Sequence, residues 1–272
     1  MEDLQGKLGT IAIIGGGKMG EAIIAGLVNG ALFDPATVVV AEPGEERRQY
    51  LSDNYGIRCV AAGAEIDHPL TAILAVKPQV FRDVAAALAA APNFDPVRII
   101  SIAAGISTAT IRGFFPEKNV IRVMPNVALM VSAGMCVVCT AENTARSEGE
   151  LVVDLFSLMG EATLIEESQI NAATALSGSG PAYFALLVER LAAAGVAQGL
   201  DAETAALLAK QTLIGTARYL DLTSFTATEL REAVTSPNGT TQAALESMAA
   251  SGFNQLVDDL VAAACRRAEE LA

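Results

Sequence analysis

The stretch TIAIIGGGKMGEAIIAGL, residues 10–27, narrows the folds open to this chain more than any other segment. A β-branched run precedes the glycines, and an apolar pattern of helical spacing follows them. Gly15, Gly17 and Gly20 stand at the GxGxxG spacing. The first allows a tight turn, the second lets backbone approach a pyrophosphate, and the third lets helix and strand pack closely. The free N–H groups and positive dipole end of the new helix suit phosphates, with Lys18 and Met19 in the same turn. Glycines could merely close a turn, but the strand–turn–helix context favours a dinucleotide.

Glu42 ends the next predicted strand. An acid there accepts hydrogen bonds from the adenosine ribose and repels a 2′-phosphate, which leans toward NADH over NADPH. Arg47 and Arg48 follow and could either receive a phosphate or lie solvated on the surface. AVKPQ (75–79), SIAAG (101–105) and RVMPN (122–126) end further strands, at the edge where ligands gather on an open α/β sheet. The cofactor candidates there are Ala75, Val76, Lys77, Pro78, Ala103, Gly105 and Asn126. Lys77 could face the cofactor, or Pro78 could simply start a helix. Asn126 could bind the nicotinamide side through its amide, or form a turn after Pro125.

The rhythm of the chain divides it. Strands are expected at 10–14, 37–42, 71–76, 97–103, 119–125, 135–139 and 162–165, with helices over 18–30, 44–56, 79–91 and 144–160. Such alternation means a mostly parallel sheet covered on both faces. After about Glu166 the chain turns Ala- and Leu-rich, with helices expected at 168–198, 201–222, 226–235, 240–250 and 252–271. The expected fold is an α/β Rossmann-type N-terminal domain, residues 1–166, and an all-α C-terminal domain, residues 167–272. Helices apolar on more than one face suit pairing with a second copy, so the helical half is read as a dimerisation domain.

A net charge of −13 argues against a nucleic-acid groove, which needs clustered Lys and Arg. Any anion site must then use local amides and a few basic groups. There is no N-terminal apolar leader and no long apolar run unbroken by charge, since Glu189 and Arg190 interrupt the best candidate; the reading is a cytoplasmic protein without a membrane partner. Cys136 and Cys139 form a CxxC inside GMCVVC, where a buried strand would point them to opposite faces. The single His, His68 in a DHP turn, reads as a surface loop residue, and no metal site is expected.

Two stretches in the helical half remain. ALSGSGPAYF (175–184) is a Gly/Ser break that Pro181 restarts as helix, and TSPNGTT (235–241) crowds small hydrogen-bonding groups before TTQAALESMAA. Alone, TSPNGTT reads as a helix start capped by Thr240. Beside the other segments, it reads as convergent amides for a small carboxylate, with small residues leaving room for the ligand.

GGGKMG, AVKPQ, SIAAG, RVMPN, ALSGSGPAYF and TSPNGTT together resemble Δ1-pyrroline-5-carboxylate reductase, over about residues 10–270. The resemblance implies interlocked dimers, which in the family often assemble further into decamers, and hydride transfer from NADH or NADPH to a cyclic imine, giving L-proline. It implies that Ser236, Asn238, Gly239, Thr240 and Thr241 cradle the substrate carboxylate, that the Thr241 hydroxyl bonds the substrate nitrogen, and that Ser177, Gly178 and Gly180 line the substrate side. Asn238 stands where the family usually has Gly, tolerable if φ is positive there. Val127 stands where it usually has a hydroxyl residue. The rivals are a β-hydroxyacid dehydrogenase type, whose expected Lys is missing from GSGPAYFALLVERL, and a non-catalytic dinucleotide sensor.

Overall fold

The computed structural model describes residues 2–30 and 33–271. It divides into two units, Met1–Gly178 with Ala264–Ala272, and Ser179–Ala263.

The first unit is built on β1 (Ile11–Ile14), β2 (Val38–Ala41), β3 (Arg58–Val60), β4 (Thr71–Leu74), β5 (Arg98–Ser101), β6 (Asn119–Met124), β7 (Gly134–Thr140) and β8 (Gly160–Leu164). Its helices are α1 (Glu2–Leu8), α2 (Lys18–Val28), α3 (Glu45–Tyr55), α4 (Pro78–Ala89), α5 (Thr108–Phe114), α6 (Arg146–Ser157) and α7 (Ile170–Ala173). Among the described residues the strands form one sheet, ordered β3-β2-β1-β4-β5-β6-β7-β8. From β3 to β6 every pairing is parallel. The order reverses between β1 and β4, the switch point at which an open sheet of this kind binds nucleotides.

The central strands are covered on both faces and so need no polar alternation. β1, β2, β4 and β5 are buried throughout. Ile11 and Ile13 pack on one face with Ile23, Ile24, Leu51 and Phe156, which brings α2, α3 and α6 to that side. Ala12 and Ile14 pack on the other with Phe81, Leu88 and Ile111, which brings α4 and α5 to the opposite side. Each fully buried Ile or Leu contributes about 1.5–3 kcal/mol.

β7 runs antiparallel to β6, and β8 parallel to β7. The link from β6 to β7 is a single 3₁₀ turn, Val127–Val131, closed by Ser132 at φ 54°. That is too short for a parallel crossover. Cys136 and Cys139 are fully buried on β7, in different apolar clusters. Burial pushes both thiols up to about 12. The edge strand β3, the helix α5 and the N-terminal helix α1 were not expected from the sequence.

The helical run expected over 168–198 is broken at ALSGSGPAYF, the stretch whose sequence reads as a Gly/Ser break. After α7 comes a π-helical turn, Thr174–Gly178, and then α8 (Gly180–Ala197). Thr174 Oγ1 and Ser177 Oγ donate back to the carbonyls of Ile170 and Ala173, at 2.7 and 2.9 Å. Pro181 has no N–H for the carbonyl four residues earlier, that of Ser177. α9 (Ala202–Leu222), α10 (Ala227–Ala233), α11 (Thr240–Ala250) and α12 (Phe253–Glu270) complete the helices. Asp201 caps α9, and Thr226 with Glu229 forms a capping box on α10.

Candidate active site

The glycine turn lies between β1 and α2. Gly15 has φ 109°, and a Cβ on it would sit 2.7 Å from the Ala75 carbonyl oxygen. A Cβ on Gly20 would sit 2.1 Å from the Gly15 oxygen, so helix and turn meet without side chains. Gly17 has nothing within 4 Å of its Cβ direction and caps α2 without a side-chain bond. The second glycine is therefore open where the first and third are packed.

A cavity of about 340 Å³ opens beside that turn. Its lining includes Gly17, Lys18, Met19, Ala75, Val76, Lys77, Pro78 and Ala103. Ile102, Ala104, Met124 and Pro125 also line it, and the sequence reading did not single them out. They sit on strand ends already quoted, which was the available signal. Lys77 is the N-cap of α4 and Pro78 its first residue, so Pro78 starts the helix while Lys77 lines the cavity. A pocket beside an open glycine at a helix N-terminus suits a dinucleotide.

Glu42 stands at the end of β2 but is not free. Its Oε2 accepts from the Gly16 N–H at 3.0 Å and its Oε1 from the Gly44 N–H at 2.9 Å. Arg47 Nε donates to the Gly16 carbonyl at 2.7 Å, and its Nη2 donates to Glu21 at 2.5 Å. The same guanidinium lies 4.9 Å from the Tyr50 ring centroid. Gly16, absent from the sequence candidates, thus has both its N–H and its carbonyl held. Arg48 Nη1 donates to the carbonyls of Glu42 and Pro43. Tyr55 donates to the other Glu21 oxygen at 3.0 Å. Burial pushes the Glu21 carboxyl up, but bonds from Arg47, Tyr50 and Tyr55 outweigh it and hold the group below its ordinary range. Burial and the Glu21 bond push the Tyr55 phenol up to about 12.

Asn126 does not line the cavity. Its Oδ1 accepts from Ala128 and Met135 N–H at 3.1 and 3.3 Å, and its Nδ2 donates to the Ser177 carbonyl at 3.1 Å. That carbonyl is the one Pro181 leaves without a helical partner, so Asn126 satisfies it. Gly178 is the last residue of the π-helical turn, and a Cβ there would meet the Met124 methyl at 3.1 Å. Gly105, at φ 73°, faces the Leu271 carbonyl, which a Cβ would approach to 2.4 Å. Val127 is exposed.

In the second unit, the Gly239 N–H donates to the Ser236 carbonyl at 3.0 Å, and Asn238 has φ 58°. Pro followed by a positive-φ residue is the signature of a type II turn. Asn238 N–H donates to Gln242 Oε1 at 2.8 Å. The N-cap of α11 is Gly239, with no side-chain cap, and Thr240 is the first helical residue. The rival reading of the stretch, a cap by Thr240, is therefore not what forms, and a glycine leaves the helix start without a side-chain cap. Thr241 is half-buried and Ser236 exposed. Gly180 is buried at the start of α8.

Two family models match the chain. Pyrroline-5-carboxylate reductase dimerisation matches residues 167–271, and coenzyme F420-dependent NADP oxidoreductase matches residues 10–105. A pyrroline-5-carboxylate reductase of Synechocystis is 38% identical over 96% of this chain and 97% of its own length. That of Mycobacterium tuberculosis strain H37Rv is 39% identical over 97% of each. A solved pyrroline-5-carboxylate reductase of Coxiella burnetii superposes with a TM-score of 0.91 at 31% identity, covering 97% of this chain and 99% of that one. A Plasmodium falciparum pyrroline carboxylate reductase, solved with NADP bound, superposes at 0.81 with 26% identity, covering 97% and 98%.

Proposed function

We propose, from the premise that this chain belongs to the pyrroline-5-carboxylate reductase family, that it reduces Δ1-pyrroline-5-carboxylate to L-proline at the expense of NAD(P)H. It is an oxidoreductase acting on a CH–NH group in the imine-reducing direction, and a homo-oligomer. The finer reading is a cytoplasmic dimer joined through the helical half. The observation that carries the function is one chain pairing a dinucleotide cradle with a helix start left open by Gly239.

The nicotinamide supplies the hydride, and the chain supplies placement. Gly15, Gly17 and Gly20 with the first-turn amides of α2 receive the pyrophosphate, beside Lys18 and Met19. Ala75, Val76, Lys77, Pro78 and Ala103 wall the cavity toward the nicotinamide. Gly105 supports the end of the SIAAG loop. Asn126, outside the cavity lining, holds the Ser177 carbonyl beside the substrate segment. Glu42 suits a ribose 2′-hydroxyl, and Arg47 is already neutralised by Glu21, so NADH is the preferred donor.

On the substrate side, the first-turn amides of Thr240 and Thr241 hold the carboxylate at the positive end of α11, with Ser236, Asn238 and Gly239 shaping the turn before it. Ser177, Gly178 and Gly180 line the substrate side. Thr241 orients the ring nitrogen, since a hydroxyl can donate or accept. No side chain need act as acid when the imine arrives protonated. Close, aligned placement is then the main catalytic contribution.

The test is oxidation of NADH and NADPH by purified protein with and without Δ1-pyrroline-5-carboxylate, repeated on Thr241→Ala. Substrate-dependent oxidation, with turnover falling more than cofactor affinity in the variant, supports the roles given. Binding of cofactor without any imine-dependent oxidation would leave the sensor reading in its place.

A further inference from the structure

The ribose end of the cradle carries an unusual charge arrangement. One residue, Gly16, is gripped on its N–H by Glu42 and on its carbonyl by Arg47, so the peptide units on both sides of its Cα are held. The 2′ position of a bound adenosine ribose belongs at this place, the end of β2 beside the glycine turn. A carboxylate there favours a 2′-hydroxyl, and a guanidinium favours a 2′-phosphate. Both are present, so neither residue alone decides the preference.

What separates them is Glu21, in the first turn of α2. It takes the Arg47 Nη2 and the Tyr55 hydroxyl, while Tyr50 lies against the guanidinium. The Arg47 and Glu21 side chains are 31% and 20% exposed, so the pair is sheltered enough for the carboxylate to cancel much of the cation. The other nearby guanidinium, Arg48, faces only carbonyl oxygens of Glu42 and Pro43.

We propose that Glu21 is a specificity-determining residue, which holds Arg47 on the glycine turn and withholds its charge from a 2′-phosphate. It acts through Arg47 and touches no part of the cofactor itself. Removing its charge frees the guanidinium for the added dianion of NADPH, whereas NADH, with no 2′-phosphate, gains little. This rests on the dinucleotide reading of the cavity but not on the identity of the imine.

Equilibrium titration of the full-length protein with NADH and with NADPH, without substrate, tests it. Glu21→Gln keeps the shape, and Glu21→Ala serves if the first loses the native circular dichroism. The ratio of NADPH to NADH affinity is expected to rise about ten-fold, and less at high salt. In Glu21→Gln with Arg47→Ala the rise should vanish, and Glu21→Asp should stay near the parent ratio. A ratio within two-fold of the parent, or a rise that survives loss of Arg47, overturns the proposal. Loss of imine reduction with the ratio shifted as expected would instead count against the substrate assignment. A parent protein preferring NADPH would count against the NADH preference and leave the direction of the shift as the test.

Discussion

Gly17 and Gly20 are three residues apart in one turn, yet the structure gives them opposite sensitivities. Gly20 lies within α2, where replacing Gly by Ala gains about 1 kcal/mol of helix propensity. Its Cβ, however, would stand 2.1 Å from the Gly15 carbonyl oxygen, where at least 3.0 Å is needed. That partner is backbone and cannot rotate away, so the turn itself must move. Overpacking of this kind costs about 1–3 kcal/mol. Against backbone at 2.1 Å the upper part of that range, about 2–3 kcal/mol, applies, so the clash outweighs the propensity gain by about 1–2 kcal/mol. In a chain of this size that lowers Tm by about 3–6 °C.

Gly17→Ala meets nothing within 4 Å, and at φ −67° and ψ −174° alanine is unstrained. A poorer cap costs several tenths of a kcal/mol, and the stiffer unfolded chain returns about as much. Its Tm should stay within about 2 °C. Its methyl group, however, would project beside the cavity where the pyrophosphate must approach, weakening NADH binding at least ten-fold, or about 1.4 kcal/mol. Circular dichroism melts and fluorescence titration read both quantities on both variants. Parental NADH affinity in Gly17→Ala would refute the cradle, and a parental Tm in Gly20→Ala would refute the packing argument.

Asn126→Asp keeps the acceptor for Ala128 and Met135 but sets a carboxylate against the Ser177 carbonyl. We expect the KM for the imine to rise several-fold with cofactor affinity nearly unchanged; a change confined to cofactor affinity would place Asn126 at the nicotinamide instead. Asn238→Gly removes a side chain from a φ 58° position and should leave stability within about 1 kcal/mol while lowering the imine KM, checked by steady-state kinetics and urea unfolding. The Tyr55 phenol is raised from 10 to about 12, so its neutral form is favoured in the fold. That contribution is complete below pH 10 and lost as pH rises through about 12, a slope that Tyr55→Phe should remove from the urea midpoints.

The glycine turn was legible because its chemistry is local. Three absent side chains at fixed spacing, between a β-branched run and a helix, state their reason within ten residues. What holds Gly16 was not legible, since Glu42 and Arg47 lie 26 and 31 residues away and reach it only through the parallel pairing of β1 and β2. Asn126 shows the same limit. Its partner carbonyl is orphaned by Pro181, and nothing in RVMPN announces a residue 51 positions on. β3 escaped notice because three residues, one of them exposed, carry no periodicity. α5, TATIRGF, is one short helix with two buried residues and left an equally faint pattern.

The helical half shows why composition can point to a partner before any contact is known. In α8 and α9 only Gly180 and Ala205 are buried, and α10, α11 and α12 bury nothing fully. Phe184, Leu186, Leu191, Leu207, Leu222 and Leu256 are all more than half exposed. Six such side chains forgo about 1.5–3 kcal/mol each by remaining in water. A monomer seldom leaves so many large apolar side chains exposed on one set of helices. The run Glu167–Ala197 is long and apolar enough to cross a bilayer, yet Glu189 and Arg190 lie within it and it falls in the segment matched by the dimerisation model. The same small and apolar residues that look membrane-like in isolation are what a second copy of the chain would bury, so this half gains its core by association.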